Sequence, residues 1–559
     1  MMVKVLLYAY SQKVYSCREI AKLLEENIPA MWLAAMQKPD YRTINRFRTH
    51  QMAELLPSLF EEMILKLMEE KFITLENYFL DGTKIEANAN KHTYVWKKAI
   101  NKNETKLLAK IEEMYQQIQS VANRENEDLH AEESKKELTV EQKLQMIESV
   151  LEEEVERKKV DWETETEKEV RKEKRRVLGG LKKSLKLVRE NFIPRYLKYQ
   201  HQKELLGDRN SYSKTNPDAT FMRMKDEHMK NGQLKPGYNV QMATENQFIL
   251  FYSVHQRPTD TRCLIPHLEA YRQTNLPMPK RVVADAGYGS EENYRYLIGD
   301  SETEPIAEFL IPYNTYLKEK TKGYRNNPYN AKNWDYVEED DLFICPNGRR
   351  VPFKKYMKKK NASGFVQDFK IYECEDCSDC PLKALCTKAK GNRQVHWNPV
   401  YEELKETAKK ALEDETLKHV YSRRKIEVET VFGNLKGNLA FRQFLLRGLE
   451  KVQTEFGILA IAHNLLKVVG LLCRNHLIKR KIKKEGGEKR FIFLHLLHFR
   501  DFLDSPFIIY EFTIELASSS ITFAVFTTSS ATNKCVQFSN GITSEFGICS
   551  FMYSAVSFE

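Results

Sequence analysis

The sequence predicts an α/β protein built on a mixed sheet, with helices ahead of it and two insertions inside it. Three observations carry that prediction. Two runs of β-formers, Tyr78-Phe-Leu-Asp81-Gly-Thr and Arg281-Val-Val-Ala-Asp285-Ala-Gly-Tyr-Gly, each reach an aspartate followed at once or nearly so by glycine. Both place a carboxylate at a strand's carboxyl end, where open α/β sheets build their sites. A third run, Arg423-Arg-Lys-Ile-Glu-Val-Glu429-Thr-Val-Phe-Gly-Asn-Leu-Lys436, reads as a helix that carries one more carboxylate among basic groups.

Residues 1–75 read as an amino-terminal helical domain. Ser16-Cys-Arg-Glu19 has the form of a capping box ahead of the Ile20, Leu23, Leu24 stripe, and Thr43 is a plausible cap for the segment that follows Pro39. Short helices with Arg and aromatic residues suit either a DNA-reading helix-turn-helix or a plain packing unit. Residues 76–96 hold the first aspartate. Residues 97–206 are densely charged, with apolar positions at helical spacing and few breakers until Gly179-Gly180. They read as a helical hairpin or coiled coil inserted between the two aspartates.

The catalytic part resumes at 207–320. Gly237-Tyr-Asn-Val-Gln-Met-Ala-Thr, a polar turn at Glu245-Asn246 and Phe248-Ile-Leu-Phe-Tyr-Ser-Val form a hairpin. A helix over Thr261–Gln273 and the strand ending at Asp285 follow. Hairpin, helix, strand and later helix, arranged around acidic residues, fit an RNase H-like mixed sheet. Residues 321–400 form a Cys-rich insertion and 401–475 carry the Glu helix. The remaining tail, 476–559, turns Ser/Thr/Phe-rich after about Pro506 and reads as aberrant.

The chain has 559 residues, enough for several domains, and a net charge of +10 from 88 basic and 78 acidic residues. That balance favours a polyanionic partner only weakly, because a long solvated helix carries the same charge density. The apolar start at Met1 is short and lacks a cleavage site, so it reads as a first helix. No uninterrupted apolar run reaches about eighteen residues, and no membrane span is expected. Five of the ten cysteines fall between Cys345 and Cys386, which suggests metal binding in a reducing compartment.

A triad of Asp81, Asp285 and Glu429 suits phosphoryl transfer. Two Mg²⁺ ions that straddle one phosphorus, about 4 Å apart, need several hard oxygen ligands. The fold alone must gather them, since the gaps are 285 − 81 = 204 and 429 − 285 = 144 residues. Val428, Val431, Phe432, Leu435 and Leu439 make the apolar stripe of the third helix, with Lys425, Glu429 and Lys436 along one flank. Glu427 projects from the other side and reads as dispensable.

These blocks resemble the DDE transposases of bacterial insertion sequences, most closely the insertion-sequence eleven-eighty-two family. The resemblance spans roughly residues 5–505. It includes Tyr41-Arg-Thr-Ile-Asn-Arg-Phe-Arg48, Asp81-Gly-Thr-Lys-Ile-Glu-Ala-Asn-Ala-Asn90, Asn216-Pro-Asp-Ala, Lys235-Pro-Gly-Tyr-Asn-Val-Gln241, Ala284-Asp-Ala-Gly-Tyr-Gly289 and Ala462-His-Asn-Leu-Leu-Lys467. It implies an enzyme that cleaves terminal inverted repeats and joins them to target DNA, with Asp81, Asp285 and Glu429 holding Mg²⁺ or Mn²⁺. It also implies double-stranded DNA as partner, a homodimer on that DNA, and the bacterial cytoplasm near the nucleoid. Related chains follow the glutamate by a lysine after six residues, as Lys436 does, and place a Tyr and an Arg ahead of it. Here Ser422 and Lys425 fill those slots, while Tyr421 and Arg424 lie one residue early. Arg424, Lys425 and Lys436 are therefore the candidate phosphate-binding groups. Related chains also begin several dozen residues earlier. A catalytically inactive DNA-binding remnant, or an RNase H-like nuclease, is the alternative.

Cys374-x₂-Cys377-x₂-Cys380-x₅-Cys386, with Cys345 upstream, has zinc-ligand spacing, with thiolates at about 2.3 Å in such sites. Cys345, Cys377, Cys380 and Cys386 resemble the family pattern best, which leaves Cys374 spare. Reduced thiols without metal, or an iron–sulfur cluster, are the other readings.

Overall fold

A computed structural model describes residues 1–125, 138–224, 233–299 and 304–479, all within one compact unit, Met1–Leu503. The tail after Pro506 lies outside the described residues. At the centre is a mixed sheet. Its strands are β1 (Asn77–Glu86), β4 (Thr220–Arg223), β5 (Leu234–Glu245), β6 (Phe248–His255), β7 (Arg281–Val283) and β8 (Glu308–Leu310). The short strands β2 (Tyr94–Trp96) and β3 (Ser211–Ser213) form a separate antiparallel pair. Across the main sheet the order is β6-β5-β1-β7-β8, with β4 pairing the start of β5. β6, β5 and β1 are mutually antiparallel, whereas β7 and β8 run parallel to β1.

Local chemistry explains the order. β5 and β6 are joined through Asn246 and Gln247 alone, both at positive φ (51° and 63°), the backbone of a tight hairpin turn matched to strand twist. β7 is short and reaches its parallel partners across helix Leu264–Arg272 and the loop after it. Arg281 then ties three strands together. Its guanidinium donates to Glu308 at 2.6 and 2.9 Å and to Asn77 at 3.0 Å. At the turn of the hairpin, Glu245 accepts from the backbone N–H of Thr74 and Leu75 and so fixes the entry to β1.

The amino-terminal helices, Met2–Ser11 to Gln51–Glu69, pack on this unit. The first is almost wholly buried. Ser16 sits at an N-cap but makes no side-chain cap bond, so the expected capping box is not formed. The helix Tyr41–Thr49 is capped by Asp40, which accepts from Thr43 N at 2.8 Å, in place of the expected Thr43. Arg48 is buried and donates to Tyr15 O and the Tyr10 hydroxyl, and Tyr15 donates to Leu439 O. That arginine serves packing, whereas Arg42 on the same helix is exposed.

The charged insertion is helical, with helices Lys97–Glu125, Val140–Glu163, Lys168–Leu187 and Ile193–Leu206. It rises from the β2–β3 pair and encloses its own core of Leu107, Ile111, Leu144, Ile147, Leu151, Val188, Phe192 and Tyr196. Gly179 and Gly180 do not break it. They lie inside helix Lys168–Leu187, at a cost of about 1 kcal/mol each that the surrounding packing outweighs. A π turn, Val188–Phe192, precedes Pro194. The Cys-rich insertion is a second sheet of β9 (Asp335–Val337), β10 (Leu342–Ile344), β11 (Arg350–Lys360), β12 (Val366–Glu373) and β13 (Gln394–Trp397), antiparallel throughout.

Helix Leu449–Lys479 is apolar enough over Leu449–Leu472 to span a bilayer by length and composition. Here 72% of its most apolar window is buried, and it packs against β6 as the core helix of the fold.

Candidate active site

The pairing of β1 with β7 decides where the two aspartates meet. Asn77 lies opposite Arg281, Tyr78 opposite Val282 and Phe79 opposite Val283, a constant offset of 281 − 77 = 204. Asp81 and Asp285 differ by the same 204, so the register carried two steps past the last paired residues sets one opposite the other. Asp81 is buried in the middle of β1, not at its carboxyl end as the sequence suggested, because the strand runs on to Glu86 in pairing with β5, and its carboxylate accepts from its neighbour Gly82 N at 2.8 Å. Asp285 caps the single turn Ala286–Tyr288 by accepting from Gly287 N at 2.8 Å.

The third carboxylate comes from a helix with two irregularities. Helix Glu415–Arg424 continues as a π turn, Lys425–Glu429, then as Thr430–Gly433, then as a second π turn, Asn434–Asn438. The stripe Val428, Val431, Phe432, Leu435 and Leu439 is buried, and the first π turn packs on β1 and β5. Glu429 stays half-exposed beside Asp81. The Arg424 guanidinium stands between them, 3.7 Å from Asp81 Oδ2 and 3.5 Å from Glu429 Oε1. Tyr421 hydrogen-bonds Arg424. Burial pushes its phenol up, and the Asp285 charge adds to the rise. Arg424 thus links Asp81 and Glu429, and Asp285 acts on Tyr421 through its charge.

The π turn accounts for the spacing that set this helix apart in sequence. A π turn holds one residue more than an α turn and is a frequent feature of functional sites. Four residues separate Arg424 from Glu429, one more than in the related pattern, and the bulge at 425–429 absorbs the extra one. Arg424 thereby faces Asp81, while Lys425 and Ser422, which fill the slots by counting, are exposed. Lys436 lies half-buried in the second π turn.

Glu427 lies on another flank than Glu429, and that flank is not solvated. It is buried, accepts from Gln247 N at 2.8 Å and pairs with Arg423. Sequence reasoning also left Ala462-His-Asn-Leu-Leu-Lys467 without a role. Asn464 exchanges two 2.8 Å bonds with the backbone of Ile249, and so satisfies a peptide group of the edge strand β6. His463 bonds Asn434 and Gln247 O, and Lys467 donates to the Gln247 side chain. All three grip the β5–β6 hairpin turn that Glu427 also holds. Polar residues recurring inside an apolar helix were the available signal.

As donors, three carboxylates offer the hard oxygens that Mg²⁺ or Mn²⁺ takes. Among the described residues, no three His, Cys, Asp or Glu side chains are already gathered as a closed ligand cluster. At the triad, the Arg424 charge offsets those of Asp81 and Glu429. In the Cys-rich sheet, Cys345, Cys374, Cys377, Cys380 and Cys386 line one small cavity together with Tyr329, Arg349 and Arg393. All five are free thiols. Cys374 and Cys377 are buried in the core with Trp334, Phe343 and Tyr372, and burial pushes the Cys374 thiol up to about 12. The donor set is all sulfur, which suits zinc, with the thiols disposed around the cavity instead of closed on a point.

Residues 344–469 match the family model described as a transposase DDE domain, and residues 1–50 match one described as a transposase domain. Two segments of the chain thus resemble transposase domains. Their presence implies a role in DNA transposition, and the DDE domain implies an enzyme of phosphoryl transfer that uses a divalent metal. The transposase DDE match begins in the Cys-rich sheet and runs through the Glu helix into the apolar core helix, so it includes Glu429 and neither aspartate. No curated protein matches the chain.

Proposed function

We propose that the protein is a DDE transposase with an RNase H-like catalytic core, acting on the terminal inverted repeats of an insertion sequence of the eleven-eighty-two type. What supports this reading is the Arg424 guanidinium between Asp81 and Glu429, with Asp285 set opposite Asp81 when the β1–β7 register is carried two steps on, in a sheet ordered three antiparallel strands, then two parallel. Asp81, Asp285 and Glu429 would hold Mg²⁺ or Mn²⁺. When bound, such ions activate the attacking oxygen and stabilise the leaving one.

Arg424, Lys425 and Lys436, all on the Glu helix, bind the backbone phosphates and set the strand in line. Water attacks the phosphodiester at the repeat end, and the bond to the 3′ oxygen breaks to leave a free 3′-hydroxyl. That hydroxyl then attacks a target phosphodiester, so that one bond forms as another breaks. No covalent protein–DNA intermediate arises. Double-stranded DNA is the partner, engaged by a homodimer, and the bacterial cytoplasm is the compartment. Cys345, Cys377, Cys380 and Cys386 would hold a structural zinc that braces the second sheet.

The test is incubation of the full chain with Mg²⁺ and duplexes carrying the DNA that flanks its coding region. Nicking at the repeat boundary that leaves 3′-hydroxyl ends, followed by joining to a second duplex, supports the reading. Binding without any nicking in Mg²⁺ or Mn²⁺ favours the inactive remnant. Nicking without boundary preference or joining favours a nuclease.

A further inference from the structure

Behind the two aspartates lies a second polar network. Gln241, opposite Gly82 in the β1–β5 register, donates its amide to Asp260 Oδ1 at 3.0 Å, and Asn239 donates to the same oxygen at 2.8 Å. The Gln241 carbonyl accepts the Tyr288 hydroxyl. Tyr288 closes the single turn that Asp285 opens. The loop carrying Asp260 holds that turn a second time, since Thr261 donates to Gly287 O at 2.6 Å. Asn293 then bonds both Thr261 O and Tyr288 O. Gly82 is glycine for the same reason. A Cβ there would stand 2.3 Å from Asp260 Oδ1 and from Gln241 Nε2. Asp-Gly at the first aspartate and Asp-Ala-Gly-Tyr at the second are thus two ends of one construction. Tyr288 is fully buried, and burial together with Asp260, Asp81 and Asp285 keeps its phenol protonated as the donor.

We propose that Asp260, Gln241 and Tyr288 are positioning residues that fix the turn of Asp285 against the Asp81 strand and so set the separation of the two carboxylates. The inference rests on the reading of the triad as a metal-holding site, and it adds residues that act on the metal only through Asp285. Such supporting hydrogen bonds are worth about ten- to a hundredfold in metal affinity.

The experiment uses the full chain with Mn²⁺ as probe, comparing wild type, Tyr288→Phe, Asp260→Asn and Asp285→Asn. Bound Mn²⁺ is measured by electron paramagnetic resonance, and hydrogen exchange is followed in the peptide spanning 281–295. Tyr288→Phe and Asp260→Asn are expected to speed exchange at the turn and to weaken Mn²⁺ binding about tenfold. Asp285→Asn is expected to lose that binding with the turn's exchange little changed. Unchanged exchange in both positioning variants overturns the proposal, whatever the metal does. Faster exchange with wild-type Mn²⁺ affinity also overturns it, because the turn would then not govern the site. If Asp285→Asn binds Mn²⁺ as wild type does, the triad reading fails first and the proposed role falls with it.

Discussion

Arg424 is where the electrostatics of the site concentrate. It sits within 3.7 Å of Asp81 and 3.5 Å of Glu429, so its charge offsets two carboxylates that would otherwise repel across a partly buried site. Asp81→Asn, Asp285→Asn and Glu429→Gln keep side-chain shape and remove the charge a divalent ion needs. Each is expected to cut metal-dependent strand cleavage by about a thousandfold or more while duplex binding, followed by mobility shift, changes less than about threefold. Glu427→Gln separates the two glutamates by mechanism. It leaves a buried acceptor weakened, so a loss of about 1–3 kcal/mol in stability is expected, read by denaturant unfolding, with cleavage per folded molecule retained. Arg424→Lys tests the π-turn account. A lysine lacks the planar fork with which the guanidinium faces both carboxylates, so activity should fall more than in Lys425→Ala, whose side chain is exposed.

Elements show what the sequence made legible and what it hid. The strands before Asp81 and Asp285, the 237–256 hairpin and the stripe on the Glu helix were readable because alternation and helical periodicity are local. The two π turns were not, because a bulge is set by what a helix must present to its neighbours. Counting along a regular helix therefore assigned Lys425 the place that Arg424 takes. Caps failed for a similar reason, since Ser16 and Thr43 fit a pattern whose bonds depend on the chain before them. His463 shows how tertiary contact decides a residue's part. Burial lowers its imidazole to about 4, and likewise that of His255. Both stay neutral in the fold while the unfolded chain takes up protons below about 6.5. Stability is therefore full above about pH 6.5 and falls as pH drops toward 4, by about 3 kcal/mol for each histidine. Denaturant midpoints across that range should show this acid-side fall, and His463→Gln should flatten it. The cysteines make the companion case. Purified reduced protein is expected to carry about one zinc per chain by metal analysis, lost in Cys380→Ser.

The described residues form one central sheet with material added at its loops. The charged insertion has its own core and departs from the β2–β3 pair, so its removal need not disturb β1. A chain with residues 97–206 replaced by a short Gly/Ser link should retain the hydrogen-exchange protection of β1, β5 and β7. Loss of that protection would mean that the insertion is part of the sheet's foundation. The amino-terminal helices behave differently, because Tyr15 donates to Leu439 O and the first helix packs on helix Leu449–Lys479. Sequence alone could not distinguish a free DNA-reading module from such packing.

The central claim is that three carboxylates 204 and 144 residues apart form one metal site. Loading the protein with Fe²⁺ in place of Mg²⁺ and adding ascorbate and peroxide generates hydroxyl radicals at the bound ion, which cut the nearby backbone. The account predicts backbone cuts at three separate places, around Asp81, Asp285 and Glu429, all suppressed by excess Mg²⁺ and all weakened together in Asp285→Asn. Cuts confined to one of these segments, or to the Cys345–Cys386 region alone, would contradict it.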